Sequence, residues 1–336
     1  MQLELKTYQL PLRHQFRISR ETTDVQETLI AGISLNGETG YGEATANDYY
    51  KSTIAGMRAE IEGIRDEIGT YSFSTPEIFH NFLTHRGLSN FAVCALDLAA
   101  HDLYGKLLGK PLYELWGYSI ESYPTTNYTI GIDTIENMVA KMLEKPWPIY
   151  KIKLGTDQDV AIVTELRRHT DAVFRIDANG AWSAAQTIEN SVILKKLGVE
   201  FIEQPLPAGD WQGMEKVMHF SALPVIADES CVVESDVALC SLHFHGINIK
   251  LCKCGGLTPA MRMIKNAREL GLKVMVGCMT ESTVGISAIA QLLPQLDYVD
   301  MDGAMLLARD IADGVSIADD GRVLFPQLGG SGILLR

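Results

Sequence analysis

The chain has no run of about 18 apolar residues, the length a bilayer-crossing helix needs, so no membrane partner is expected. Its opening residues, MQLELKTYQL, lack the charged start and apolar stretch of a secretory leader. Positive charge is scarce, with 29 Lys and Arg against 42 Asp and Glu and a net charge of −13. A surface this acidic repels nucleic-acid phosphates and anionic lipid. No GxGxxG follows the first strand-like segment of the repeating part described below, which argues against an open doubly wound sheet with a dinucleotide site. The 6 cysteines are scattered, and a core for a chain this long needs no disulfides. Cys252 and Cys254 form a CxC near His243 and His245. No second pair at zinc-ligand spacing faces them, and apolar strand residues surround both. Reduced thiols in a cytoplasmic setting are expected. A homo-oligomer is compatible with the sequence, but nothing in it sets the subunit number.

What is present is length and rhythm. The 336 residues suit a barrel of about 250 residues with a smaller companion domain. Residues 2–10 and 27–36 alternate apolar and polar, as half-buried strands do, and Asn36-Gly37 predicts a hairpin into a third strand. Residues 52–69 carry helical periodicity with Ser52 as the expected cap, and 89–108 reads as a helix apolar on more than one side, hence buried. Residues 1–118 are therefore expected to form an α+β capping domain. From about residue 123 short apolar strands alternate with amphipathic helices. Eight such strands predict a parallel (β/α)7β barrel of the TIM type over 119–309. The tail, 310–336, reads as a hairpin and a Gly-rich end that returns to the capping domain.

Charged residues end these strands, where a barrel places its active site. They are Lys151 and Lys153, then Asp177, Glu203, Asp228, Lys250, Glu281, and Asp300 with Asp302. Asp177, Glu203 and Asp228 recur at about one βα unit, so they are expected at one height on successive strands. Three converging carboxylates repel one another, and a divalent cation removes that repulsion. All-oxygen ligands with open positions suit Mg²⁺. Separate salt bridges are the plainer alternative. Lys151 and Lys153, two apart, share a strand face, and Lys250 on the sixth strand lies across the ring from them. Amines on both sides of a cation could move a proton at a bound substrate. A lysine base near neutral pH needs a lowered pKa, which a neighbouring ammonium and a metal ion would both favour.

The order KIK, DANG, EQP, ADES and NIK, preceded by ALDLAAHDLYGKLLGKPLYELWG at 95–117, resembles the muconate lactonizing enzyme subgroup of the enolase superfamily over nearly the whole chain. The resemblance implies one Mg²⁺ on Asp177, Glu203 and Asp228. It implies Lys153 and Lys250 as the two acid/base groups, with Lys151 supporting the substrate carboxylate. Asp300-x-Asp302 on the eighth strand looks like the DxD of the dipeptide epimerases, where it would meet a dipeptide's α-ammonium. The implied reaction is inversion at the α-carbon of the C-terminal residue, as in L-Ala-L/D-Glu, by a 1,1-proton transfer through an enediolate. Relatives on this scaffold include N-acylamino acid racemases, o-succinylbenzoate synthases and cycloisomerases, and a non-catalytic metal-stabilised protein is a further alternative. The loop 12–26 is expected to be a flexible lid, with Arg17 and Arg20 positioned for an acidic side chain. Here the sequence departs from the Ala-Glu epimerases, because Glu21 stands where they carry a specificity arginine. Residues 45–50 form a second candidate lid, and Tyr128 and Thr129 candidate pocket walls.

Overall fold

The Asn36-Gly37 turn organises the first sheet. In a computed structural model, which describes residues 1–336, Asn36 and Gly37 both take positive φ, 53° and 88°. That conformation suits a two-residue hairpin and costs these residue types little. It joins β2 (Thr22–Leu35) to β3 (Glu38–Thr45). β1 (Gln2–Arg17) completes a three-stranded antiparallel sheet.

Two expectations are corrected here. Residues 12–26 are not a loop. β1 and β2 stay paired to Arg17↔Thr22, with a register shift between Pro11 and Phe16, so the segment is the bulged tip of a hairpin. Its polar residues reflect a ribbon that runs beyond the helices covering the rest of the sheet, and backbone pairing does not require apolar side chains. The helix expected over 52–69 breaks at Ile64 into α1 (Ile54–Gly63) and α2 (Arg65–Thr70). Its cap is Thr53, whose side chain accepts from the Gly56 amide, whereas Ser52 pairs with Asn47 in a β-bridge. α3 (Pro76–Thr84) follows, capped by Thr75.

α4 (Asn90–Leu107), capped by Ser89, is buried along nearly its whole length, as its all-round apolar sequence requires. It lies directly on β3 because Gly40 and Gly42 leave room. A Cβ on Gly42 would stand 2.1 Å from the Ala95 carbonyl oxygen, and one on Gly40 2.2 Å from that of Ala99. The short α5 (Leu112–Leu115) leads into the barrel.

The barrel strands are β4 (Tyr128–Ile130), β5 (Ile149–Lys153), β6 (Val173–Asp177), β7 (Val199–Glu203), β8 (Val225–Ala227), β9 (Gly246–Ile249), β10 (Lys273–Gly277) and β11 (Tyr298–Asp300). They are parallel neighbours in chain order, and a parallel bridge from Thr126 to Val299 closes the ring. Helices α6 (Ile135–Glu144), α7 (Asp159–Arg167), α8 (Ala184–Lys196), α9 (Trp211–Phe220), α10 (Asp236–Cys240), α11 (Leu251–Cys254), α12 (Leu257–Glu269) and α13 (Thr283–Ala290) fill the seven crossovers, the sixth holding both α11 and α12. This is the expected (β/α)7β barrel. Phe201, Ile226 and Met275, with Tyr298 against them, form a small apolar cluster on the inner strands. The tail makes two short hairpin-like pairings, β12 (Ala312–Asp313) with β15 (Leu334–Leu335) and β13 (Ser316–Ile317) with β14 (Val323–Leu324). Near its end, the Asp102 carboxylate of α4 accepts the Ser331 amide at 2.8 Å. No helix is long and apolar enough to cross a membrane.

Gly42→Ala is expected to destabilise the fold by about 3 kcal/mol, because backbone rather than a flexible side chain blocks the new methyl. Gly63→Ala, which meets nothing within 4 Å, is expected to be neutral or to gain up to about 1 kcal/mol. Urea denaturation of both variants checks the contrast.

Candidate active site

Strand register assembles the site. Lys153 is level with Asp177, and Asp177 with Glu203. Asp228 follows the end of β8 and Lys250 the end of β9. Ligand oxygens of Asp177, Glu203 and Asp228 all lie within 4.8 Å of one another, and the three residues are 0–1% exposed. The expected trio is therefore in place.

Amines surround it. Lys151 Nζ lies 3.0 Å from Asp177, 2.8 Å from Glu203 and 2.7 Å from Asp300. Lys153 pairs with Asp177 at 2.6 Å, and Lys250 with Asp228 at 2.9 Å. Lys153 on the second barrel strand and Lys250 after the sixth approach from opposite sides of the ring.

The electrostatics follow from burial and neighbours. Burial works against the Lys151 ammonium, yet Asp177, Asp300 and Glu203 hold its pKa well above the usual lysine range. Lys250 is also raised, burial opposing and Asp228 prevailing. The lowering expected for Lys151 from its neighbouring ammonium is overridden, because the carboxylates outweigh the like charge. Asp177 and Asp228 are held below the carboxylate range by adjacent lysines despite their burial. Glu203 is pushed up to about 7, first by burial and then by Asp177. One carboxylate is thus left poorly compensated by the protein's own cations. Three converging, buried carboxylates offer a hard divalent ion such as Mg²⁺ an all-oxygen set of ligands that fits it.

A cleft opens above these groups. Its barrel wall carries Thr129, Lys151, Lys153, Lys250, Asp300 and Asp302, and its roof comes from Phe16, Ile18, Arg20, Glu21, Asn47 and Tyr50 of the first domain. Asp300 takes the Lys151 ammonium on one oxygen and the Asn127 amide, at 2.8 Å, on the other. Asp302 accepts the Thr129 backbone amide at 2.6 Å and its hydroxyl at 3.2 Å. Burial and the Asp300 charge raise Asp302 to about 7.

Four sequence candidates are placed elsewhere or otherwise engaged. Arg17 is exposed and borders a surface depression with Ile132 and Asp133. Arg20 lines the cleft but is bound to Glu229 at 2.6 Å and to the Asn179 carbonyl at 3.2 Å, and it stacks on Tyr49. Glu281 is 4% exposed and accepts the Met279 amide, with one oxygen against Gly285 at the start of α13, away from the cleft lining. Tyr128 faces a small side pocket.

Other polar groups serve the site without having been singled out in the sequence. Gln204, next to Glu203, accepts the amides of Asp228 and Ser230 at 3.0 Å and so anchors the loop after β8. Asn248 donates to Glu203 at 2.8 Å. Lys253, which does not line the cleft, binds Asp228 at 2.6 Å. Cys278 lines the cleft beside Asp300 and Asp302. Gln204 stands inside the EQP motif, and Lys253 is three residues from Lys250, one helical turn away. These spacings were the only available signals.

The fold and this set of strand-end groups define a barrel of the enolase type. Residues 134–336 match the family described as enolase C-terminal domain-like, and the chain belongs to it. Among its relatives, an L-Ala-D/L-amino acid epimerase of Maribacter sp. is 72% identical, the match covering 100% of this chain and 99% of that protein. A protein of the same description from Flavobacterium johnsoniae is 59% identical, with 100% of each covered. Of solved structures, the substrate-liganded L-Ala-D/L-Glu epimerase of Bacillus subtilis superposes with a TM-score of 0.93 at 26% identity, covering 99% of this chain and 98% of that one. The dipeptide epimerase of Enterococcus faecalis, complexed with Mg and L-Leu-L-Tyr, gives 0.91 at 28% identity, again over 99% and 98%.

Asp177→Asn is expected to weaken Mg²⁺ binding by at least about tenfold, since loss of a mere outer partner of a metal ligand already costs about 10–100-fold. Isothermal titration of EDTA-treated protein with MgCl₂ measures it.

Proposed function

We infer that the protein is a Mg²⁺-dependent dipeptide epimerase, inverting the α-carbon of the C-terminal residue. The observation that carries this reading is the pair of amines, Lys153 and Lys250, on opposite sides of a buried three-carboxylate cluster. The names of the relatives above support the same activity.

Asp177, Glu203 and Asp228 would hold the ion, whose charge stabilises a substrate carboxylate while its α-proton is absent. Lys151 orients that carboxylate from the side. One of Lys153 and Lys250 removes the α-proton, and the other delivers a proton to the opposite face, which inverts the centre. A cation held by Asp228 would take up part of the counter-charge that keeps Lys250 protonated. Asp300 and Asp302 receive the dipeptide's α-ammonium. This last role favours a dipeptide over an N-acylamino acid or a cycloisomerase substrate, which would leave buried Asp302, hydrogen-bonded only to Thr129, without a cation. A non-catalytic role would leave the two opposed amines at the cleft without employment.

The C-terminal side chain would lie under the hairpin tip. Arg20 is engaged and Glu21 brings negative charge, so neutral side chains are favoured over the Glu of L-Ala-L/D-Glu. A cytoplasmic setting belongs to the same proposal, in keeping with six free thiols.

The test is exchange in D₂O with Mg²⁺ and a library of L-Ala-L-Xaa dipeptides, followed at the C-terminal α-proton by NMR. Exchange and epimerisation are expected, faster for neutral than for acidic Xaa. No exchange across the library would refute the assignment. Lys153→Ala and Lys250→Ala should each lower epimerisation by at least about 10²–10⁴-fold, the usual worth of a general acid or base. Normal turnover in both would remove the lysines from the mechanism. Asp302→Asn should raise KM for free-amine dipeptides and leave N-acyl substrates unaffected.

A further inference from the structure

Lys253 is among the largest fully buried side chains of the protein, at 1% exposure. Its ammonium has four oxygens around it. They are the Asp228 carbonyl at 2.5 Å, Asp228 Oδ1 at 2.6 Å, the Cys231 carbonyl at 2.9 Å and the Asn248 carbonyl at 3.2 Å. An ammonium has three N–H donors, so this one is fully engaged. Lys253 does not line the cleft. Lys250, just before α11, takes the other oxygen of the same carboxylate, Oδ2, at 2.9 Å and does line the cleft. Two lysines one helical turn apart thus hold one carboxylate from two sides, and only one of them can reach a substrate.

The partners of Lys253 also span three separate segments. Asp228 ends β8, Cys231 lies in the following loop, and Asn248 is on β9. Asn248 in turn donates to Glu203. One cation therefore ties two carboxylates of the cluster, one directly and one through a neighbour's backbone, to the floor of the barrel end.

We propose that Lys253 is a positioning residue that fixes the Asp228 carboxylate and thereby sets the affinity of the three-acid cluster for its divalent cation. It contacts neither substrate nor cation. The proposal rests on Asp177, Glu203 and Asp228 being the metal site. Lysine suits the position because a compact ammonium meets oxygens arriving from several directions, whereas a planar guanidinium would not.

The test is Mg²⁺ titration calorimetry on EDTA-treated, folded protein, repeated with Mn²⁺ and detected by electron paramagnetic resonance. Lys253→Met should weaken Mg²⁺ binding by about 10–100-fold, in the range of outer partners of metal ligands. Lys253→Arg should recover part of the loss. Because Lys253→Met leaves Asp228 short of a partner and could fail to fold, Asp228→Asn is compared with the double variant Asp228→Asn, Lys253→Met. If Lys253 acts through Asp228, the two bind Mg²⁺ alike. A further tenfold loss in the double variant would overturn the proposal. So would wild-type affinity in folded Lys253→Met while Asp177→Asn loses Mg²⁺. If Asp177→Asn also binds as the wild type does, the metal assignment itself is what fails.

Discussion

Everything at the open end of this barrel is shaped by the repulsion among three carboxylates that the strand register forces together. Asp177, Glu203 and Asp228 are essentially without solvent, and an unpaired buried charge costs about 3–5 kcal/mol when its partner is removed. The protein answers with Lys151, Lys153, Lys250 and Lys253, each within ion-pair distance of the trio. The compensation is incomplete, since Glu203 remains pushed up to about 7. The same balance constrains Lys151 and Lys250, whose protons the neighbouring acids hold against the pull of burial.

The first domain contributes shape and closure. Gly40 and Gly42 let α4 press onto β3, so the sheet is held firmly while the β1–β2 tip reaches over the cleft. Arg20 fastens that tip to Glu229 and to the Asn179 carbonyl. Asn179 and Glu229 lie within two residues of Asp177 and Asp228, and the Asn179 amide donates to Asp177 at 2.9 Å. The roof over the substrate is therefore mechanically continuous with the carboxylate cluster. An arginine that looks in sequence like a receptor for acidic side chains acts in the fold as a fastener.

What could be read in advance was whatever depended on periodicity. The βα rhythm gave the barrel, and the recurrence of Asp177, Glu203 and Asp228 at strand ends gave the trio. Asn36-Gly37 gave the hairpin, because few other dipeptides accept positive φ twice. The surroundings of Arg17, Arg20 and Glu281 could not be read, since they depend on where a polar tip and a helix start fall in three dimensions. Glu281 follows β10 by only four residues, yet folds back on α13. Polar content alone could not tell the hairpin tip from a loop. Lys253 was hidden for a different reason. A lysine one turn after Lys250 looks like ordinary helix surface until its four oxygen partners are seen.

The most direct test is a crystal structure with Mn²⁺, located by its anomalous signal, and a bound L-Ala dipeptide. The ion should lie among Asp177, Glu203 and Asp228. The Nζ atoms of Lys153 and Lys250 should stand on opposite faces of the C-terminal residue's α-carbon, each at about 3–3.5 Å, the separation of reacting atoms. An ion bound elsewhere, or both amines on the same face of that carbon, would contradict the two-sided proton transfer.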